Sequence, residues 1–269
     1  LGARGCGMAT AISMWLGPLL IGLYMTRAEQ LRSFLPPFRL VAPDFTAIGE
    51  ITRVGLPLGL TFFMEIAFFT VIALLIATLG TTAIAAHQIA FNVWDVVYMP
   101  LIGIGSAMAT RVGHAIGAGD RAGVNLSLCC GTSIAVLMGL VCMCLLLAAP
   151  EMLARAYTSD TAIQGVAISL IRLAALFIAL DAAQIAATFC LRAFKDTRFP
   201  FVVSAVAYWL VTLPLGYWSG IVRADNALDG TVGFWRSMIA GIAVSSILVF
   251  LRLWHTLRKP LPAAQQAAS

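Results

Sequence analysis

Charge is what this chain has least of. Only 11% of its 269 residues are Asp, Glu, Lys or Arg, where a soluble domain carries about 25%. So few charges cannot cover a water-facing surface, which excludes an ordinary soluble enzyme or binding module. Metal-binding patterns are missing too. Cys6, Cys129, Cys130, Cys142, Cys144 and Cys190 all fall in apolar runs, and none has a Cys/His spacing suited to zinc. They read as lipid- or core-facing thiols and assign no redox compartment. The glycine-rich stretch "RVGHAIGAGDRAG" has neither a preceding strand nor the G-x-G-x-x-G pattern of a phosphate cradle, and it reads as a flexible hinge. An intramembrane protease or prenyl transferase would need a nucleophile–base pair, a paired-aspartate motif or a metal cluster. None lies in register, so the chain is not read as an enzyme. No charged n-region with a small-residue cleavage site opens it. Because Leu1 runs almost at once into an apolar stretch, a fragment without its natural N-terminus is expected.

What fills the chain instead is hydrocarbon: 61% of residues are hydrophobic and the mean hydropathy is +0.94. Seven apolar runs, approximately 6–25, 54–79, 84–109, 123–148, 162–190, 199–219 and 232–254, match or exceed the roughly 20 residues needed to cross a bilayer. Lipid offers backbone amides no partner, so each run must be helical. The fold class is therefore an all-α, polytopic membrane protein.

The basic residues report orientation. Arg27, Arg32, Arg39, Arg53, Arg111, Arg121, Arg192, Lys195, Arg198, Arg252, Arg258 and Lys259 fall on one side of the expected membrane, against Arg4, Arg155 and Arg223 on the other. The positive-inside rule makes the first side, with the C-terminus, cytoplasmic. The net charge of +5 therefore implies no nucleic-acid partner. Arg172 and Arg236 lie near span ends and are expected to snorkel. The segment "APDFTAIGEITRVG" suits a short interfacial helix capped by Asp44. Pro18, Pro57, Pro100 and Pro214 lie in or near spans, where they break helices locally.

Two acids sit where water is scarce: Glu65 near the middle of the second run and Asp181 deep in the fifth. An acid at bilayer centre costs about 2.5–3.5 kcal/mol on insertion scales, so neither is expected to face lipid. A poorly solvated carboxyl can exchange a proton for a cation at ordinary pH. Residues three or four apart share a helix face. That places Thr61, Phe62 and Phe69 with Glu65, and Phe177 and Gln184 with Asp181. Gln88, Asn92 and Asp95 form a polar stripe on the third run. Gln88 and Asn92 serve equally well as interhelical glue, and His87 reads as a helix-end or core histidine. Together the carboxylates, amides and rings would line a wet cavity for a cationic, partly aromatic solute.

The stretches "GLPLGLTFFMEIAFF", "LGTTAIAAHQIAFN", "MATRVGHAIGAGD" and "LRAFKDTRFPF" resemble the second half of multidrug and toxic compound extrusion (MATE) transporters, in particular the NorM-type bacterial branch. "GCGMATAISMW" looks like the last helix of that family's first half. The resemblance runs from about residue 3 to about residue 258 and implies half of a twelve-helix, two-lobe fold. On that basis residues 1–26 are the last helix of the first lobe and 27–53 a cytoplasmic interlobe loop. Residues 54–258 are then a complete six-helix lobe, and 259–269 a cytoplasmic tail. It further implies a secondary antiporter of a bacterial inner membrane, monomeric when full length, that exports cationic aromatic compounds in exchange for Na⁺ or H⁺. No cofactor is implied beyond that coupling ion, and the missing partner is the protein's own N-terminal lobe. By motif match Glu65 takes the place of the family's membrane glutamate and Asp181 that of the aspartate joining it in the cation site, with no metal beyond Na⁺. Phe177 stands where NorM-type relatives tend to have a tyrosine, which removes a hydroxyl; Asp95 is a candidate to supply a substitute oxygen, and the sequence leaves that open. The alternative, a lipid-linked oligosaccharide flippase of the same superfamily, would want Arg and Lys in the cavity for a pyrophosphate. Here the mid-span charges are acidic.

Overall fold

The computed structural model describes residues 2–27 and 44–260. Residues 28–43 of the expected interlobe loop 27–53 and residues 261–269 of the expected tail 259–269 lie outside the described residues. The chain divides into two compact units, Leu1–Ile48 and Gly49–Ser269. The helices are α1 (Gly2–Arg27), α2 (Phe45–Ala77), α3 (Thr81–Gly117), α4 (Arg121–Ala148), α5 (Pro150–Tyr157), α6 (Thr161–Ala193), α7 (Arg198–Val222) and α8 (Ala227–Leu257). All but the short α5 are long and apolar enough to cross a membrane, giving seven spans. This is a multi-pass helical membrane protein, and no β-strand occurs among the described residues.

Helix starts follow side-chain chemistry. Asp44 Oδ1 accepts from the amides of Thr46 and Ala47 at 2.9 and 3.2 Å. Asp160 Oδ1 accepts from Ala162 at the head of α6, and Asn226 Oδ1 from Asp229 at the head of α8. Each satisfies amides that a helix N-terminus leaves open. The helix capped by Asp44 is not a separate interfacial piece, as expected from the sequence, but the first turns of α2. Nothing between Phe45 and Pro57 is strong enough to break it, since an interior glycine costs only about 1 kcal/mol against alanine. The "RVGHAIGAGDRAG" stretch also differs from expectation. Its first half is helical, and the α3–α4 connection is a tight turn at Ala118–Asp120. Gly119 takes φ +70°, the amide of Asp120 returns to Ala115 O at 2.9 Å, and Asp120 Oδ1 caps α4 through Gly123 at 2.9 Å. A left-handed glycine between two closed hydrogen-bonded ends is a rigid corner.

The prolines act unequally. Helices α1, α2 and α3 run through Pro18, Pro57 and Pro100. Around Pro214 the ladder of α7 alternates between α-helical turns and wider π turns, at Ala205–Thr212 and Trp218–Val222. Proline removes one amide from the ladder, and π turns absorb such a mismatch by shifting partners by one residue.

Helix α6 is the centre of the second unit. Leu170, Ile171, Ala174, Ala175, Ile178, Ala182, Ala186, Ala187 and Leu191 are fully buried along it; α3 and α4 pack against it more than against any other helix, and α8 packs against both α6 and α7. Its run of alanines lets backbones come near, as membrane helix packing requires. Helix α2 leans on α7 instead. Phe68 stacks on Tyr208 at 5.0 Å, and Trp209 Nε1 donates to Met64 O at 3.3 Å, one residue before Glu65.

Candidate functional site: an acid-lined cavity between α2, α3 and α6

Glu65 and Asp181, on separate helices, line one cavity. From α2 come Thr61, Phe62 and Glu65; from α3 Tyr98 and Ile102; from α6 Asp181, Gln184, Ile185, Thr188, Phe189 and Arg192. The α6 residues recur at three- and four-residue steps, so a single stripe of that helix supplies them. Its volume is about 40 Å³. One water needs about 10–15 Å³ of such space, whereas drug-sized ligands occupy pockets of about 300–1,000 Å³. The cavity is therefore of a size for a small ion or a few waters. A larger recess of about 710 Å³ lies at Ile51, Arg53, Lys195, Asp196 and Arg198. The one acid among its described lining residues, Asp196, is engaged by Arg252 Nε at 2.7 Å.

Six oxygen-bearing side chains face the small cavity: Glu65, Asp181, Gln184, Tyr98, Thr61 and Thr188. Hard oxygens in number are what an alkali or alkaline-earth cation requires. Asp181 is 6% exposed; its buried Oδ2 makes no close hydrogen bond, and the Trp94 indole N–H is a neighbouring donor to its carboxyl. A buried carboxylate oxygen left open is costly unless something positive meets it. Gln184 Oε1 accepts from Ser246 at 3.4 Å, which holds the amide toward α8, and the Thr61 hydroxyl donates to Pro57 O at 2.8 Å. Close packing keeps Asp181 in place. A Cβ at Gly139 of α4 would lie 2.5 Å from that of Ala182, so only glycine lets α4 press there.

The other expected cavity residues are elsewhere. Phe177 is buried and meets Trp94 edge-on at 5.7 Å. Phe69 packs in the same cluster, 5.4 Å from Trp94 and 5.2 Å from Phe91. Gln88 and Phe69 border a separate open recess of about 410 Å³, with Thr70, His87 and Phe91. His87 is a core residue whose Nδ1 accepts from Trp235 Nε1 at 3.2 Å. Asn92 accepts from Tyr157 at 3.0 Å, tying α3 to α5. Asp95, the candidate substitute for the lost hydroxyl, does not line the cavity; the hydroxyls there belong to Tyr98, Thr61 and Thr188. The physical reason is side-chain direction. Helical side chains tilt toward the helix N-terminus, and the α3 part of the cavity lies C-terminal to Asp95, at Tyr98 and Ile102.

The same tilt explains a residue that sequence reasoning assigned to the cytoplasmic edge. Arg192 sits in the last turn of α6, yet it reaches back to the cavity that Asp181 lines. Its guanidinium lies 4.5 Å from the Phe189 ring centroid and 5.2 Å from that of Phe62. Its Nε is buried without a partner. The available signal was its place on the stripe of Asp181, Ile185 and Thr188. By contrast Arg172 turns away from Asp181 and stands 4.0 Å from Glu151, both largely exposed.

The described residues thus form a helical membrane bundle in which two acids line one small cavity. The MatE family model matches residues 57–218, more than half of the sequence, and the chain belongs to that family. It is 37% identical over 258 residues to the probable multidrug resistance protein NorM of Xanthomonas campestris pv. campestris, covering 96% of this chain and 56% of that protein. It is 35% identical over 261 residues to the multidrug resistance protein MdtK of Proteus mirabilis, covering 96% and 57%. The chain thus spans about half the length of the curated relatives it matches. Among solved structures it resembles the eukaryotic MATE transporter AtDTX14 with a TM-score of 0.84 at 20% identity, over 97% of this chain and 59% of that one. An outward-facing MATE family transporter of the MOP superfamily gives 0.81 at 19%, over 94% and 56%. At such identities the structural likeness establishes the fold.

Proposed function

We propose that this chain is the C-terminal portion of a secondary active exporter that exchanges Na⁺ or H⁺ for cationic, partly aromatic compounds. The observation that carries the reading is the convergence of Glu65 and Asp181 on one ion-sized, oxygen-lined cavity. The printed names of its relatives, multidrug resistance proteins, support the substrate class. The cavity, of a size for a small ion, holds the coupling ion. That compound meets the open aromatic recess at Phe69, Thr70, Gln88 and Phe91. Helix α2 joins the two, presenting Glu65 to the cavity and Phe69 to the recess. Loading the acids with Na⁺ or H⁺ removes negative charge from the helix that borders the guest, which weakens a cationic guest's hold. The two lobes of the complete protein then alternate access by rocking.

In this reading the protein is a monomer in a bacterial inner membrane. Its C-terminus is cytoplasmic, and an N-terminal lobe completes the transport path. Two acids against one arginine in the cavity favour a cation over the pyrophosphate of a lipid-linked oligosaccharide. The test is efflux of a cationic dye from vesicles under an imposed Na⁺ or H⁺ gradient, using the complete protein with Glu65→Gln. Loss of gradient-driven efflux is expected. Undiminished efflux with unchanged ion dependence would overturn the assignment.

A further inference from the structure

We propose that Arg192 is a built-in counter-cation that restricts the Glu65–Asp181 cavity to a single positive charge. The proposal rests on the reading of that cavity as a cation site. Arg192 is the basic side chain among its lining residues, and it is not a freely snorkelling one. Its guanidinium lies over the Phe62 and Phe189 rings, 5.2 and 4.5 Å from their centroids, and its Nε is buried and unpaired. The Phe189 ring is itself seated by Gly105 of α3, where a Cβ would lie 2.8 Å from the ring. Rings on one side and cavity on the other give the charge little room to leave. With both acids ionised, two negative charges face one positive, so the lining lacks one positive charge. A proton or an alkali ion fills that deficit, whereas a divalent ion would leave a net positive charge beside the buried Asp181. Arg192 therefore sets ionic valence without being a ligand, since cations repel.

The test is equilibrium dialysis of radiocalcium against the 269-residue chain in nanodiscs, with helicity by circular dichroism as the folding control. Arg192→Gln is expected to bind Ca²⁺ at least about tenfold more tightly than wild type, because one repelling charge has left a poorly solvated site. Arg192→Met, which keeps an apolar stem beside the rings, should do the same, and Arg192→Lys should behave as wild type. No gain of Ca²⁺ binding in folded Arg192→Gln or Arg192→Met overturns the proposal. So does an equal gain in Arg192→Lys, which would point to packing and not charge. If the gain appears but survives in the Glu65→Gln, Arg192→Gln double variant, the Ca²⁺ lies away from the acids. The cation-site reading itself then fails.

Discussion

At the scale of single residues, direction along the helix decides membership of the site. Asp95 and Arg192 make the point from opposite sides: the acid lies N-terminal to the cavity and tilts away, the base lies C-terminal and tilts in. Glu65, Asp181, Thr61, Phe62 and Gln184 were legible in the sequence because acids and amides are rare in apolar runs and their helix neighbours can be counted. Tyr98 was not, because its contribution depends on how α3 is rotated against α6, whereas Thr188 and Arg192 share the Asp181 stripe and lay beyond the one turn counted from that acid. Phe177 and Phe69 were misplaced through helix rotation, as with Tyr98, and they belong to the ring cluster around Trp94. Two outcomes follow for ion-dependent thermal stabilisation in detergent. Asp95→Asn should leave the ion response unchanged, since the side chain does not line the cavity. Tyr98→Phe should weaken it by about tenfold, the order expected when one oxygen contact to a charged group is lost.

At the scale of elements, the spans were legible and the joints were not. Apolar length marks a span, whereas the α3–α4 corner depends on Gly119 adopting φ +70° and Asp120 capping α4. A glycine-rich stretch looks the same in sequence whether it is loose or locked. Asp120→Ala should lower stability by about 1 kcal/mol through loss of the cap and leave ion binding intact, as melting with and without ion would show. The π turns of α7 were likewise hidden. Pro214 announces a defect in the ladder, but where the ladder re-forms depends on the packing of α8, whose Gly233 O accepts from Ser219 across the pair. Helix approach beside the acids is set by Gly139. Gly139→Leu should push α4 off α6 next to Ala182, costing about 1–3 kcal/mol by overpacking. Because Asp181 shifts with its helix, this variant should also blunt the ion response, which separates it from Asp120→Ala.

At the scale of the whole molecule, the chain is a helical membrane unit with an ion-sized internal site and about half the length of the relatives it matches. In the proposed cycle it supplies the ion-binding half, and a complete transport path needs the full-length protein. Residues 1–269 alone are expected to give no gradient-driven dye efflux from vesicles, and co-expression with an N-terminal lobe of the same family is expected to restore it. The central claim is narrower than transport: Glu65 and Asp181 share one exchangeable cation. Two groups serving one ion cannot be removed independently, so a double-mutant cycle isolates their coupling. The decisive measurement is ion-dependent stabilisation of wild type, Glu65→Gln, Asp181→Asn and the double variant, under Na⁺ titration and pH titration in parallel. The account predicts that each single variant loses nearly the whole response and the double loses no more. Two partial losses that simply add would contradict it, because the acids would then act at separate sites.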